Sequence, residues 1–368
     1  MNVLPPRHPT TAEDLLAALL ALPQEDRRSQ AGTVRRFRSR PLCELLIVRS
    51  HELRYTDAER MEELAALAVA VAGQMDAPSA GGTAALQDLR ARACAHLGNA
   101  FRIRGRFAAA GRALERAEAH RLLGSHDVAL EALVLELTAS LLESRRDFPG
   151  ALERLELACA IHRQRGDRVS LAKALVQTAI VCGYANRPAT AVRLLGQAVD
   201  RIDAAREPRL AFIALHALAW NLAAAGFLQE ALEIHQESGV LAEHARSPLM
   251  ELKVSWLQGH IAAALGQDAL AERDLVRALN GYEELEMPYE AALVSLELAL
   301  FYARCGRFAE LDRLTREILP IFEALGIEPE ARATVLLRRS ARQRERSVEL
   351  LYQVISAVKL RPPQPATV

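Results

Sequence analysis

A 40-residue repeat constrains this chain more than any other feature. Turn-forming residues recur in register at Gly105, Arg146, Asn186, Gly226, Gly266 and Gly306, at spacings of 41, 40, 40, 40 and 40. Gly and Asn suit the left-handed conformation that ends a helix. A second marker, Pro208, Pro248, Pro288 and Pro329, keeps nearly the same step. Proline is tolerated in the first turn of a helix, where its missing N–H has no partner to lose. Just before these positions stand Asp127, Asp167, Glu207, Ser247 and Met287. Asp and Ser are good N-caps, whereas Glu and Met are poor ones. A third register is made of small residues. Gly98, Ala139, Ala179, Ala219, Gly259 and Ala299 precede each turn by seven residues. Ala110, Ala151, Ala191, Ala231, Ala271 and then Leu311 follow it by five, and Ala117, Ala158, Ala198, Ser238, Ala278 and Ile318 lie seven further on. Small side chains at fixed intervals let paired helices approach closely. Units of this length bury a continuous core only by stacking on their neighbours.

Composition agrees with helices. Apolar residues are 51% of the 368, with aromatics at 5% and Ala and Leu dominant. Such side chains lose little freedom in a helix. No run of alternating Val, Ile and Thr argues for a sheet. No stretch reaches the roughly 18 apolar residues of a membrane span. The segment Leu15–Leu22 follows Glu13 and Asp14 and has no basic leader, so a signal peptide is not expected. The cysteines Cys43, Cys94, Cys159, Cys182 and Cys305 are odd in number and widely spaced. They read as free thiols in a reducing compartment, so a cytoplasmic protein is expected.

The segment LGNAFRIRGRFAAAGRALERA resembles a tetratricopeptide repeat. Leu97, Gly98, Phe101, Gly105, Ala110, Leu114 and Ala117 fall on that motif's positions. Six units over 84–326 fit it, with a step of 40 rather than about 34 residues. Lengthened repeats of this kind are similar to those of kinesin light chains and of helical sensor domains in bacterial regulators. The resemblance implies an all-α fold, a right-handed α-solenoid of antiparallel helix pairs. Around the six units, 1–40 reads as a helical extension in which Thr10 and Glu13 form a capping box. Residues 41–83 read as a divergent helix pair and loop, 327–360 as capping helices and 361–368 as a disordered tail.

No catalytic or cofactor motif is present: no Walker loop, GxGxxG, HExxH or GxSxG. The ten histidines lack the spacing and acidic partners of a zinc site. Neither an enzyme, a cofactor nor a metal is expected. Charge is uneven. Residues 1–40 hold seven Arg and four acids, and 331–368 hold eight basic residues and two acids. Subtracted from 46 of each sign, this leaves 31 basic and 40 acidic residues in 41–330, a net of −9. An acidic body repels phosphates and argues against nucleic acid as a partner. The basic segments 35–40 and 338–346 read as solvated helix faces, with contact to an acidic partner or nucleic acid as the alternative.

In tetratricopeptide arrays the first helix of each pair lines the groove, so the resemblance implies a set of lining residues. It comprises Asn99, Arg102, Glu136, Lys173, Tyr184, His216, Trp220, Lys253, Trp256, His260 and Arg304, with Arg92, Ser140 and Glu143 beside them. The family's carboxylate clamp is echoed in part: Asn99 and Lys173 match in type, but Ala95 and Ser140 stand where Lys and Asn are usual. Both tryptophans and two of the three lysines of the chain fall in the lining set. Trp and Arg most often carry binding energy at interfaces. Two placements remain open for Trp220 and Trp256, lining the groove or packing between helices. The implied function is a protein or peptide interaction scaffold, with a signalling or transcriptional sensor acting through a partner chain as the alternative.

Overall fold

The computed structural model describes residues 11–245, 248–285, 287–324 and 328–343. Among these residues every regular element is a helix, and no helix is long and apolar enough to cross a membrane. The chain divides into two compact units, 1–166 and 167–368.

The first unit carries α1 (Ala12–Leu20), α2 (Gln24–Thr33), α3 (Arg40–Glu52), α4 (Ala58–Gln74) and α5 (Ala77–Ala80). It continues with α6 (Thr83–Ile103), α7 (Phe107–Leu122), α8 (Val128–Ser144) and α9 (Phe148–Arg165). The helices α3 and α4, α6 and α7, and α8 and α9 pack as consecutive pairs. Its entry differs from the sequence expectation by one residue. Thr11, not Thr10, caps α1, and Asp14, not Glu13, closes the capping box. The Thr11 hydroxyl accepts from the Asp14 amide, and the Asp14 carboxylate accepts from the Thr11 amide, so two orphan donors are met at once. Thr10 itself lies outside the described residues. Pro23 then opens α2, a polar helix that no apolar periodicity announces.

The second unit carries α10 (Arg168–Tyr184), α11 (Pro188–Val199), α12 (Pro208–Ala224), α13 (Leu228–Ala245), α14 (Pro248–Ala264), α15 (Asp268–Glu284), α16 (Pro288–Arg304), α17 (Phe308–Ala324) and α18 (Glu328–Gln343). Helices α10 and α11, α12 and α13, α14 and α15, and α16 and α17 pair in turn, and α17 packs on α18. Stacked antiparallel pairs are the all-α repeat architecture implied by the resemblance. Ser247, residues 344–360 of the expected capping segment and the expected 361–368 tail lie outside the described residues.

The repeated turn has one chemistry. Gly105, Arg146, Asn186, Gly226, Gly266 and Gly306 all hold positive φ, between 55° and 87°. The residue after each donates its N–H back five residues, as Arg106 does to Phe101 O at 2.8 Å and Gln267 to Ala262 O at 2.9 Å. These bonds close the helix ends left open by missing intrahelical partners. At the opposite helix ends, Asp127 accepts from the Ala129 amide and Asp167 from the Ser170 amide. Glu207 and Met287 make no side-chain cap, and proline opens the helices after them.

The small-residue register is the seam within each pair. Ala110, Ala151, Ala191, Ala231 and Ala271 are fully buried, and so are Ala139, Ala179, Ala219 and Ala299. At the two glycines of the register the approach is closest. A Cβ on Gly98 would lie 2.8 Å from Leu114 Cγ, and one on Gly259 2.8 Å from Leu275 Cγ.

Candidate functional site

The lining residues fall into separate groups, one per unit. In the first unit they are tied into the helix packing by neighbouring side chains. Asn99 is buried, and its Oδ1 accepts from Arg102 Nε at 3.1 Å and Nη2 at 3.0 Å. Arg102 also reaches Ser144 Oγ on α8 at 3.4 Å. Glu136 pairs with His162 Nε2 at 2.8 Å, joining α8 to α9. Ser140 returns its hydroxyl to the Glu136 carbonyl. Burial pushes the Glu143 carboxyl up from its ordinary range, against the pull of Arg102 and Arg146. Arg92 lies 3.7 Å from Asp127. This group is a polar lattice between helices, with its hydrogen-bonding capacity largely spent internally.

In the second unit the first helices α10, α12, α14 and α16 each present one stripe of residues. Lys173 and Tyr184 on α10 are exposed. Lys173 Nζ stands 3.9 Å from Glu207 Oε2, and Lys253 on α14 is also exposed. On α12 and α14 an aromatic and imidazole cluster gathers residues of successive repeats. His216 and Trp220 are four apart on α12, and Trp256 and His260 are four apart on α14. Residues at that spacing share a helix face. The 40-residue step superposes His216 on Trp256 and Trp220 on His260, so the two types alternate diagonally across the stripe. Trp220 therefore meets both residues of the next repeat. It stacks on His260 at 4.8 Å between centroids and meets Trp256 edge-on at 5.3 Å. Below it, His216 lies 6.4 Å away and stacks on Phe212 at 5.5 Å. Trp256 in turn meets Tyr282 of α15 edge-on at 6.0 Å. Both tryptophans are half-buried. Trp220 packs against the core of Ala219, Ala223, Ala231, Leu257 and Ile261, while Trp256 packs against the larger core of α14 to α18. Each ring thus has one side in the core and part of its area in water.

One residue that organises the cluster escaped the sequence reading. Glu297 of α16 accepts from Trp256 Nε1 at 2.6 Å through Oε2, and its Oε1 holds His260 Nδ1. A legible signal was present: Glu297 is a lone acid inside the apolar run 291–303, and such a residue needs a partner. Three further features set the electrostatics. Burial, with Lys253 and His235 nearby, pushes the His216 imidazole down to about 3, so it is neutral at physiological pH. Burial raises the Glu290 carboxyl, with Lys253 opposing. Arg304 is exposed, but its guanidinium donates to the Ala263 carbonyl and closes the end of α14. It serves a helix terminus rather than the stripe. Among the described residues no group of three or more His, Cys, Asp and Glu is placed to hold a metal ion.

No protein-family model matches the sequence, and no curated protein sequence matches it. Solved structures do. A Rap protein complexed with Competence and Sporulation Factor aligns with a TM-score of 0.68 at 14% identity, over 87% of this chain and 87% of that one. The apo form of RapI aligns with a TM-score of 0.59 at 13% identity, over 82% of this chain and 99% of that one. Aspartyl phosphate phosphatase F from Bacillus subtilis aligns with a TM-score of 0.50 at 11% identity, covering 87% and 88%. Identities this low speak to fold alone. The chain therefore adopts a tetratricopeptide-like helical repeat fold, and Rap proteins are among the structures it is similar to.

Proposed function

We propose that this chain is a non-catalytic interaction module that holds a protein or peptide segment on the first-helix stripe of its 167–343 unit. One observation carries the reading: Trp220, Trp256, His216 and His260 are gathered from neighbouring repeats into one half-buried cluster flanked by exposed Lys253. Half-buried aromatics with a fixed polar surround have the composition of interface hot spots, and their rigidity keeps the entropic cost of ligand capture low. The similar Rap structure with a bound factor supports the reading, because it is an instance of this fold holding a ligand. In the first unit Asn99 and Arg102 are bonded to each other and Glu136 to His162, so they act as framework in this proposal.

The test is the Trp220→Ala, Trp256→Ala double variant in affinity purification from the native host. Partner recovery is expected to fall at least tenfold while the far-ultraviolet circular dichroism stays helical. Recovery equal to wild type, with helicity retained, would remove the stripe as the binding surface.

A second reading follows from Glu297, which ties Trp256 and His260 of α14 to α16. A ligand that displaced either ring would disturb the contact between neighbouring repeats. The module would then act as a signalling sensor, passing a change of helix packing to a partner chain. Small-angle scattering with and without the ligand tests it, and identical curves would sink it.

A further inference from the structure

Two imidazoles neighbour the Trp220 indole, and their hydrogen-bonding characters are opposite. The His216 ring has its Nδ1 sealed from solvent without a partner. An orphaned N–H is the rarer way to bury a polar atom, so the lone pair is turned inward and the proton sits on Nε2. Burial and Lys253 keep that ring neutral, so it has a single N–H to offer. The His260 ring is fixed the other way. Trp256 Nε1 is a donor without acceptor capacity, so the Glu297 carboxylate that receives it is an acceptor. The other oxygen of that group holds His260 Nδ1, and in the ionised carboxylate it too accepts, which puts the imidazole proton on Nδ1. The hydrogen bond at one ring nitrogen sets the character of the other, so in the neutral ring His260 Nε2 is the nitrogen that offers a lone pair. Neither Nε2 is a sealed orphan atom, and neither is bonded to a described residue.

We propose that His216 and His260 form a donor–acceptor pair that recognises the main chain of an extended peptide laid along Trp220. His216 Nε2–H donates to a peptide carbonyl, and His260 Nε2 accepts from a peptide N–H. Both rings neighbour Trp220, at 6.4 and 4.8 Å between centroids, so a segment laid along the indole passes both. Every peptide residue except proline carries one such donor and one such acceptor, so the pair reads backbone rather than charge. A small carboxylate satisfies only the donor side and a small cation only the acceptor side. Glu297 is the positioning residue, because it decides which His260 nitrogen carries the proton. This inference rests on the reading of the stripe as a peptide-binding surface and adds the chemistry of what is read.

The chain's two tryptophans are Trp220 and Trp256, so intrinsic emission reports this cluster alone. The probes are a pool of end-capped random hexapeptides and the same pool with every amide N-methylated. The first pool is expected to shift the emission saturably, and N-methylation to weaken it about tenfold, the scale of one or two lost hydrogen bonds. In Glu297→Gln the amide serves Trp256 with its oxygen and His260 with its NH2, which moves the imidazole proton to Nε2. Long-range proton–nitrogen spectra of the imidazoles should show that tautomer switch, and the variant should lose the preference for the unmethylated pool. Equal binding of both pools by the wild type, or a wild-type His260 protonated at Nε2, overturns this inference and leaves the peptide-binding reading standing. An emission that responds to neither pool overturns both.

Discussion

At the scale of single residues, two positions show how little space the helix pairs leave. Gly98 and Gly259 occupy the same place in repeats four steps apart, each facing a leucine one helix over. A methyl at Gly259 would also come within 3.0 Å of the Leu275 backbone nitrogen, so the neighbour cannot simply rotate away. Overpacking of this kind costs about 1–3 kcal/mol. Gly259→Ala is therefore expected to lower the urea midpoint by that much, and Gly98→Ala, which meets chiefly a leucine side chain, by less. Arg146 poses the opposite case. It holds φ of 63°, where four of the six repeats place glycine. A left-handed non-glycine residue costs roughly 1–2 kcal/mol, part of which glycine returns as unfolded-state entropy. Arg146→Gly should stabilise by about 0.5–1 kcal/mol in denaturant titrations, unless the Arg146 contact over Phe148, 5.9 Å to the ring centroid, outweighs the strain.

At the scale of elements, the first helices are started in two ways. Asp127 and Asp167 cap α8 and α10 with carboxylates, and prolines open α12, α14 and α16. A carboxylate cap contributes hydrogen bonding and a favourable charge at the positive helix end. A proline contributes backbone preorganisation alone. Asp167→Ala should accordingly cost about 1 kcal/mol, measured as a shift of the unfolding midpoint, whereas Glu207→Ala, with no cap to lose, should leave it within error. The stripe is also an element-scale property. A single helix supplies one tryptophan and one histidine four apart, and the alternation that makes a cluster exists only when two such helices stack.

At the scale of the whole molecule, buried imidazoles couple stability to acidity. His96 in the first unit meets His51 edge-on at 5.5 Å, and burial, with His51, Arg92 and Arg54 nearby, pushes it down to about 3. The sign follows from proton counts. The unfolded chain binds a proton at His96 below about pH 6.5, while the folded chain refuses it until about pH 3. The contribution of this residue is thus complete above pH 6.5 and drains away as pH falls toward 3. At pH 5 the loss is ~2 kcal/mol. Urea titrations between pH 7 and pH 5 should show that fall, and His96→Phe should reduce it, leaving the part that His216 supplies. An unchanged slope in the variant would remove His96 as its source.

The period, the turn positions, the small-residue seam and the all-helical architecture were legible in the amino-acid order, because each depends on contacts a few residues apart or on a strict step of 40. The same holds for Trp220, Trp256, His216 and His260 as members of one stripe. Tertiary structure decided what those residues do. It placed each tryptophan half in the core and half in water, locked Asn99 and Arg102 together, and spent Arg304 on a helix end. It also brought Glu297 against Trp256 and His260, across about 40 residues of chain. Partners that far apart are chosen by how helices stack, and a tautomer is fixed only once both ends of a hydrogen bond are in place.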